Sequence, residues 1–319
     1  EQKIVFAAFE AAQNYKSCIY LMDSDGSNLV NLTKNLPESS MPSFSPDGEN
    51  ILFVCNGQLS LMDHEGQNVR TLTSGNLNRW KSFPVLSTDR SKIAFFAKPE
   101  QYTDQLDVYI LNSDGTGLRN LTRQNGDNLY PVFSPDGSTL LYWKLIDNAQ
   151  WPPQCDIYSQ NVNDETVTNL TQKNGFNCFP QYSRDGSKIV FISRRQNDVD
   201  YSLYIMNADG SDQRRIFAAE SGHMVTFPKF TPDGNKIVFL YYSVPMNQKD
   251  TDICIINTNG SGFQNLTSSP YRDWGTVLSS DGSKIVFESD RDGNDEIYMM
   301  TIDGENVTRL TNSSERTDM

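Results

Sequence analysis

The chain of 319 residues carries a formal net charge of −13, and 37% of its residues are hydrophobic. This hydrophobic content is too high for a disordered chain, and no apolar run approaches the roughly 18 residues of a membrane-spanning helix. The acidic balance argues against nucleic-acid binding, and the two histidines, His64 and His223, are poor material for a histidine-rich metal site.

The chain opens with a segment, Glu1 to Phe6, whose pattern predicts a β-strand. No basic, apolar leader precedes this segment. Either a signal peptide has been removed or none existed. We expect the first alternative, a periplasmic or extracellular protein whose signal peptide has been removed.

A turn motif, an aromatic residue followed by Ser/Thr-Pro-Asp-Gly, recurs along the chain. Clear copies contain Asp47, Asp136 and Asp233, and weaker copies centre on Asp89, Asp185 and Asp281, at spacings of 42 to 49 residues. Proline presets φ at the second turn position, aspartate caps nearby amides and glycine accepts a positive φ. Each copy therefore predicts a tight turn between two antiparallel strands.

A second motif, Ile-Tyr-x-Met-Asn-x-Asp-Gly followed by Asn-Leu-Thr, predicts two further strands joined by a hairpin. Its seven copies begin at Ile19, Leu59, Val108, Ile157, Leu203, Ile253 and Ile297. Repeated units of about 45 residues with four antiparallel strands are typical of a β-propeller. We predict an all-β, seven-bladed β-propeller of four-stranded antiparallel blades that forms a single domain over residues 1–319. The blades are expected at about 1–36, 41–74, 83–123, 130–172, 178–218, 226–268 and 276–311, with a C-terminal tail at 312–319.

The first blade is expected to lack its innermost strand, because Gln2 to Ile4 align with Ser283 to Ile285, directly after a turn. Three alternatives follow from this alignment: a three-stranded first blade, a closing strand missing from the sequence, or a strand donated by another chain. Each alternative deals with the exposed strand edge in a different way.

The Pro-Asp-Gly turns, together with the segment Glu288 to Tyr298, resemble the TolB-type or WD-repeat-like propeller family. The resemblance covers essentially the whole chain. It implies blades that serve as docking domains, lyase scaffolds or lids on peptidases. It also implies a histidine-containing metal site in the lyase relatives, for which this chain has too few histidines.

Strand directions place the short turns on one face of the predicted propeller and the longer, variable connections on the other. Exposed aromatic residues beside arginine are typical of recognition surfaces, although the same side chains could instead pack the loops onto the blades. We take as ligand-binding candidates Arg79, Trp80, Trp143, Trp151, Arg194, Arg195, His223, Arg272 and Trp274. The aromatic-proline steps at Phe83, Tyr130, Phe179 and Phe227 recur in phase with the repeat, which favours core packing.

Four of the five cysteines map to the variable face. Their placement allows two disulfides, Cys18–Cys55 and Cys155–Cys178, which would indicate an oxidising compartment. The alternative is four unpaired thiols in a cytosolic protein. Cys254 lies inside a predicted strand and is expected to be a buried free thiol.

No catalytic motif occurs, and the repeated aspartates are explained by their turns. The segment Asp290 to Glu296 resembles the start of a calcium loop but lacks the glutamate at the required spacing, so a hairpin turn is expected. We therefore predict no catalytic residue, metal or cofactor, and a secreted or periplasmic propeller that binds a protein or peptide through its long-loop face. One alternative is a carbohydrate-binding or carbohydrate-active propeller. Another is a structural subunit that assembles by strand donation at the open first blade.

Overall fold

The structure is a computed structural model that describes residues 2–10, 16–74, 77–99, 105–123, 126–147, 149, 153–172, 175–195, 200–243, 251–312 and 316–318. These residues form strands and turns, which confirms the predicted all-β class. None of the described segments is a helix long and apolar enough to cross a bilayer.

The strands follow the two sequence motifs closely. The first half of the chain contains β1 (Lys3–Glu10), β2 (Lys16–Asp23), β3 (Val30–Asn31), β4 (Ser39–Phe44), β5 (Asn50–Cys55), β6 (Gln58–Asp63), β7 (Arg70–Thr71), β8 (Leu77–Leu86), β9 (Lys92–Pro99), β10 (Asp107–Asn112), β11 (Arg119–Asn120), β12 (Asn128–Phe133), β13 (Thr139–Asp147) and β14 (Gln154–Asn161). The second half contains β15 (Val167–Asn169), β16 (Gly175–Tyr182), β17 (Lys188–Arg195), β18 (Ser202–Asn207), β19 (Arg214–Ala218), β20 (His223–Phe230), β21 (Lys236–Ser243), β22 (Asp252–Asn257), β23 (Gln264–Asn265), β24 (Asp273–Leu278), β25 (Lys284–Ser289), β26 (Glu296–Thr301), β27 (Thr308–Arg309) and β28 (Arg316–Asp318).

The prediction of seven separate four-stranded blades was wrong. Among the described residues, five sheets have four strands: β28-β1-β2-β3, β4-β5-β6-β7, β11-β10-β9-β8, β20-β21-β22-β23 and β24-β25-β26-β27. A sixth sheet has eight strands in the order β12-β13-β14-β16-β17-β18-β19, with β15 on β14. The physical reason is a parallel bridge between Cys155 and Phe176 that continues the hydrogen bonding from β14 to β16. The Asn177 side chain reinforces this bridge by donating to the Cys155 carbonyl at 3.2 Å.

The first sheet does not lack a strand, so that part of the prediction was also wrong. Strand β28 pairs antiparallel with β1, from Ala8 opposite Asp318 to Glu10 opposite Arg316. A strand edge offers unpaired amide and carbonyl groups, and here residues from the end of the same chain pair with part of that edge. The pairing removes the observation on which assembly by strand donation rested.

Two compact units are recognised by their internal packing, one at residues 1–137 with 310–319 and one at 138–309. Each is built around the phenylalanine that ends the Lys-Ile-Val-Phe pattern in the second strand of a sheet. In the first unit Phe53 and Phe95 are fully buried, and in the second unit Phe191, Phe239 and Phe287 are fully buried. Burying each such side chain contributes about 1.5–3 kcal/mol.

The repeated polar residues stabilise the turns and the outer strands. In one turn the Ser183 hydroxyl donates to Asp185 at 2.5 Å, and this bond, with others from Ser187, lowers the pKa of Asp185 to about 2. In the Asn-Leu-Thr motif, Asn169 and Thr171 both donate to Asp156, at 2.9 and 2.6 Å. The turn role predicted for the repeated aspartates is therefore confirmed where these bonds are seen.

Candidate functional site

Several strands contain a β-bulge centred on a residue with positive φ. In the second unit these residues are Phe179 (φ 51°), Phe227 (φ 48°) and Gly275 (φ 63°), and the register shifts at each of them. Phe179 and Phe227 precede proline, a position that disfavours helical backbone conformations. Such backbone strain costs on the order of 1–3 kcal/mol per residue and is common at functional sites.

The prediction that the aromatic-proline steps pack in the core is confirmed for Phe227, which packs against a buried cluster that includes Phe287, and is wrong for Phe83, whose ring is exposed. In the first unit Phe83 is 43% exposed and lies 4.5 Å from Tyr130, ring centre to ring centre. In the second unit Phe179 and Phe227 are half-buried. A bulge re-aims the side chain that it carries, which the periodicity of the sequence does not reveal.

Six aromatic side chains of the second unit form a continuous series, which we call the aromatic row: Trp143, Phe176, Phe179, Tyr201, Phe227 and Trp274. Its ring-centre distances are 6.4 Å for Trp143–Phe176, 6.0 Å for Trp143–Phe179, 5.1 Å for Phe176–Tyr201, 4.7 Å for Phe179–Phe227 and 5.8 Å for Phe227–Trp274. These separations lie in the range of favourable aromatic pairs. The row therefore connects two predicted candidates, Trp143 and Trp274. Trp143 and Tyr201 are buried, and the other four rings of the row are half-buried.

The predicted arginines have different roles. The Arg194 guanidinium lies over the ring of Tyr201 at 5.6 Å, at the edge of the aromatic row. Arg195 instead lies over Tyr204 at 4.2 Å and donates to Gln213 at 2.7 Å. Arg272 forms an ion pair with Asp295 at 2.5 Å.

A basic amine lies close to the aromatic row. Lys229 follows Phe227 by two residues, and its Nζ donates to the carbonyl of Thr276. Burial lowers the pKa of Lys229 to about 8. Desolvation penalises the charged form of a lysine, so this amine titrates closer to neutrality than an exposed lysine.

His223 lies in a second polar cluster of the same unit. Its ring stacks on Tyr241 with 4.9 Å between ring centres and 1° between planes. The hydroxyl of Tyr241 accepts a hydrogen bond from the Glu220 amide at 3.2 Å. Within the described part of the chain, His223 Nδ1 and Asp200 Oδ2 are buried without a hydrogen-bond partner.

The loop that resembles a calcium site, residues 290–296, is held by arginines. Asp273 and Glu296 are fully buried, and each accepts from an arginine at 2.8 Å, from Arg291 and Arg309 respectively. Arg309 also pairs with Asp292 at 3.0 Å. No group of three or more metal-ligating side chains is found among the described residues.

For three of the predicted ligand-binding candidates the structure describes no side-chain position. Trp151 lies outside the described residues, and the side chains of Arg79 and Trp80, in β8, lie outside them too.

All five cysteines are free thiols in the structure, so the two disulfides stay predictions about the oxidised protein. Burial raises the pKa of Cys155 to about 12 and that of Cys178 well above its usual value, which makes both thiols poor nucleophiles.

The sequence reasoning missed several members of the two clusters. Phe179 and Phe227 were recognised but assigned to the core, and the proline that follows each of them was the available signal. Asp200 and Glu220 carry no motif. In the folded chain the Glu220 amide donates to the Tyr241 hydroxyl at 3.2 Å. Burial, and to a smaller extent the charges of Glu220 and Asp200, raise the pKa of Tyr241.

Comparison with known proteins identifies the family. The profile of the TolB beta propeller domain matches residues 57–243 and 202–318. A TolB homolog of Chlorobium luteolum is 28% identical over 131 residues, which span 39% of this chain and 28% of the homolog.

Solved structures show the same fold. The putative TolB from Agrobacterium tumefaciens has a TM-score of 0.62 at 21% identity and covers 94% of this chain and 99% of its own. A puromycin-hydrolyzing peptidase of Mycobacterium tuberculosis has a TM-score of 0.76 at 14% identity over 98% of this chain and 52% of its own. Because the family profile matches most of the sequence, the chain belongs to the TolB β-propeller family.

Proposed function

We propose that this chain is a periplasmic, non-catalytic propeller that binds a protein or peptide partner, and that the aromatic row of the second unit is its docking surface. The observation that carries the proposal is the strained, half-buried pair Phe179 and Phe227 within the row. Large aromatic residues and arginine dominate the binding energy of protein interfaces. The row supplies both, because Arg194 lies at its edge.

The strain itself supports a role for these side chains. At the corresponding bulge of the last sheet the residue with positive φ is Gly275, which adopts this conformation without strain. At Phe179 and Phe227 the chain keeps an aromatic ring in spite of the conformational cost. A ring that is retained at such a cost and is only half-buried is well suited to contact another molecule.

The carbohydrate alternative finds less support. It relied on Arg272 and Trp274 together with Arg79 and Trp80. Arg272 is paired with Asp295, and Trp274 packs edge-on against Phe227 at 5.8 Å. A guanidinium that is already paired offers fewer hydrogen bonds to a sugar than a free one would.

Site-specific photo-crosslinking tests the proposal. The chain is produced in the periplasm of its source cells with p-benzoylphenylalanine in place of Phe179 or Phe227. Matched controls carry it at Val167 and Val307, which are 49% and 43% exposed. We expect one protein to crosslink from the row positions alone, and its purified form to bind the wild-type chain and to lose at least tenfold affinity for the Phe179→Ala, Phe227→Ala double variant. Equal crosslinking from all four positions, or unchanged affinity, would overturn the proposal.

A further inference from the structure

The cluster around Tyr241 has features that the proposed docking surface does not explain. We call Asp200, Glu220, His223 and Tyr241 the Tyr241 subsite. Tyr241 stands opposite Val225 in the β20–β21 ladder, so His223 is its diagonal neighbour on the same face of the sheet. This register places the two rings in their parallel stack, and Phe217 packs edge-on against Tyr241 at 5.9 Å.

The subsite contains hydrogen-bonding atoms that nothing described in the structure satisfies. Asp200 Oδ2 and His223 Nδ1 are both buried and have no partner within the described residues. Buried polar atoms in native proteins are nearly always hydrogen-bonded, so an unsatisfied pair calls for an explanation. An ionised carboxylate accepts hydrogen bonds only, and Nδ1 of a neutral imidazole accepts them in one tautomer.

Within the part of the chain that the structure describes, the negative charge of the subsite is also unbalanced. None of the ion pairs found among the described residues involves Asp200 or Glu220. In contrast, Arg272, Arg291 and Arg309 of the same unit all have carboxylate partners. Burial is the main cause that raises the pKa of Tyr241, and the charges of Glu220 and Asp200 add to it.

We propose that the Tyr241 subsite binds the cationic head group of a lysine or arginine side chain of the partner. A guanidinium or ammonium group donates hydrogen bonds, which Asp200 Oδ2 and His223 Nδ1 are free to accept, and the face of an aromatic ring attracts a cation. Glu220, which is exposed, adds a second negative charge. Asp200 precedes Tyr201 of the aromatic row, so the subsite borders that surface. The inference rests on the proposed function in assigning the cation to a protein partner.

The two histidines make a direct test possible. Protein labelled with ¹³C at the histidine rings is titrated at constant pH with n-propylguanidinium, and separately with its neutral isostere n-propylurea. The ring signals of His223 report on the subsite, and those of His64, in an exposed turn of the first unit, serve as an internal control. We expect a saturable shift of the His223 signals with propylguanidinium, no saturable shift with propylurea, and no shift at His64.

Variants decide which groups bind the cation. We expect the Asp200→Asn, Glu220→Gln double variant to bind propylguanidinium at least fivefold more weakly. Asp212→Asn removes one charge from an exposed residue of the same unit, and we expect it to stay within twofold of wild type. Equal binding of the urea, or unchanged binding by the double variant, overturns the inference. Because this titration needs no partner, it can fail while the crosslinking at Phe179 succeeds, and the reverse holds as well.

Discussion

The loop at 290–296 and the Tyr241 subsite are both polar clusters of the second unit, but they balance their charges differently. In the loop, Asp292, Asp295 and Glu296 each have an arginine partner within the unit, and Arg291 of the loop pairs with Asp273 of β24. In the subsite, Asp200 and Glu220 have no cationic partner among the described residues. The comparison teaches that carboxylates form a candidate binding site where no arginine or lysine of the described chain pairs with them. The number of carboxylates alone would have favoured the loop at 290–296, whose charges are already paired.

Removal of an arginine from the paired loop should have the largest effect on stability. Arg291→Ala leaves the fully buried Asp273 without its cation, and we expect a loss of about 3–5 kcal/mol in the free energy of unfolding. Urea denaturation followed by fluorescence measures this loss. Arg90→Ala is the matched control: it breaks the exposed pair with Asp47 and should cost about 0–1 kcal/mol. A loss below 1 kcal/mol for Arg291→Ala would show that the loop is not held by its ion pairs.

The buried amine of Lys229 can be tested through the pH dependence of protein stability. Its folded pKa of about 8 lies below that of an unfolded lysine, so the unfolded chain binds more protons between about pH 8 and pH 10.4. Stability should therefore rise with pH across this window, by about 2–3 kcal/mol, relative to the Lys229→Met variant. Urea denaturation at pH 7.5 and pH 10 measures both proteins. Parallel curves for the two proteins would contradict a desolvated amine at this position.

The aromatic row should respond in binding far more than in stability. For Phe179→Gly we expect the free energy of unfolding to change by no more than about 1 kcal/mol, because relief of backbone strain offsets the lost aromatic contacts. Phe191→Ala, in the core of the same unit, should cost about 3–5 kcal/mol. Thermal unfolding of both variants measures this contrast. A Phe179→Gly variant as unstable as Phe191→Ala would assign Phe179 to the core.

The smallest expected effect concerns Asp200. Its buried Oδ2 has no described partner, so Asp200→Asn should leave the isolated protein as stable as wild type or stabilise it by up to about 1 kcal/mol. Asp273→Asn should destabilise it, because Arg291 then loses its ionised acceptor. Urea denaturation of the two variants shows whether their changes in the free energy of unfolding have opposite signs. If both substitutions destabilise the protein, the distinction between the two clusters is lost.

Much of the local structure could be predicted because it depends on neighbouring residues. The Ser183–Asp185 turn and the bonds of Asn169 and Thr171 to Asp156 are contacts within one repeat, and their residue types recur with the repeat. The candidate site was predicted less well. Trp143, Arg194, His223 and Trp274 were identified as candidates, whereas Phe179 and Phe227 were assigned to the core and Asp200 was not singled out.

The sequence by itself determined the all-β class, the turns and the family resemblance, since proline, aspartate and glycine act on the backbone over a few residues. Only the tertiary structure decided which strands join into one sheet. The parallel bridge from Cys155 to Phe176 and the pairing of β28 with β1 connect residues that are distant in the chain. Tertiary structure also decided the charge balance of the acidic clusters, because the fold determines whether an arginine or lysine lies within ion-pair distance of each carboxylate.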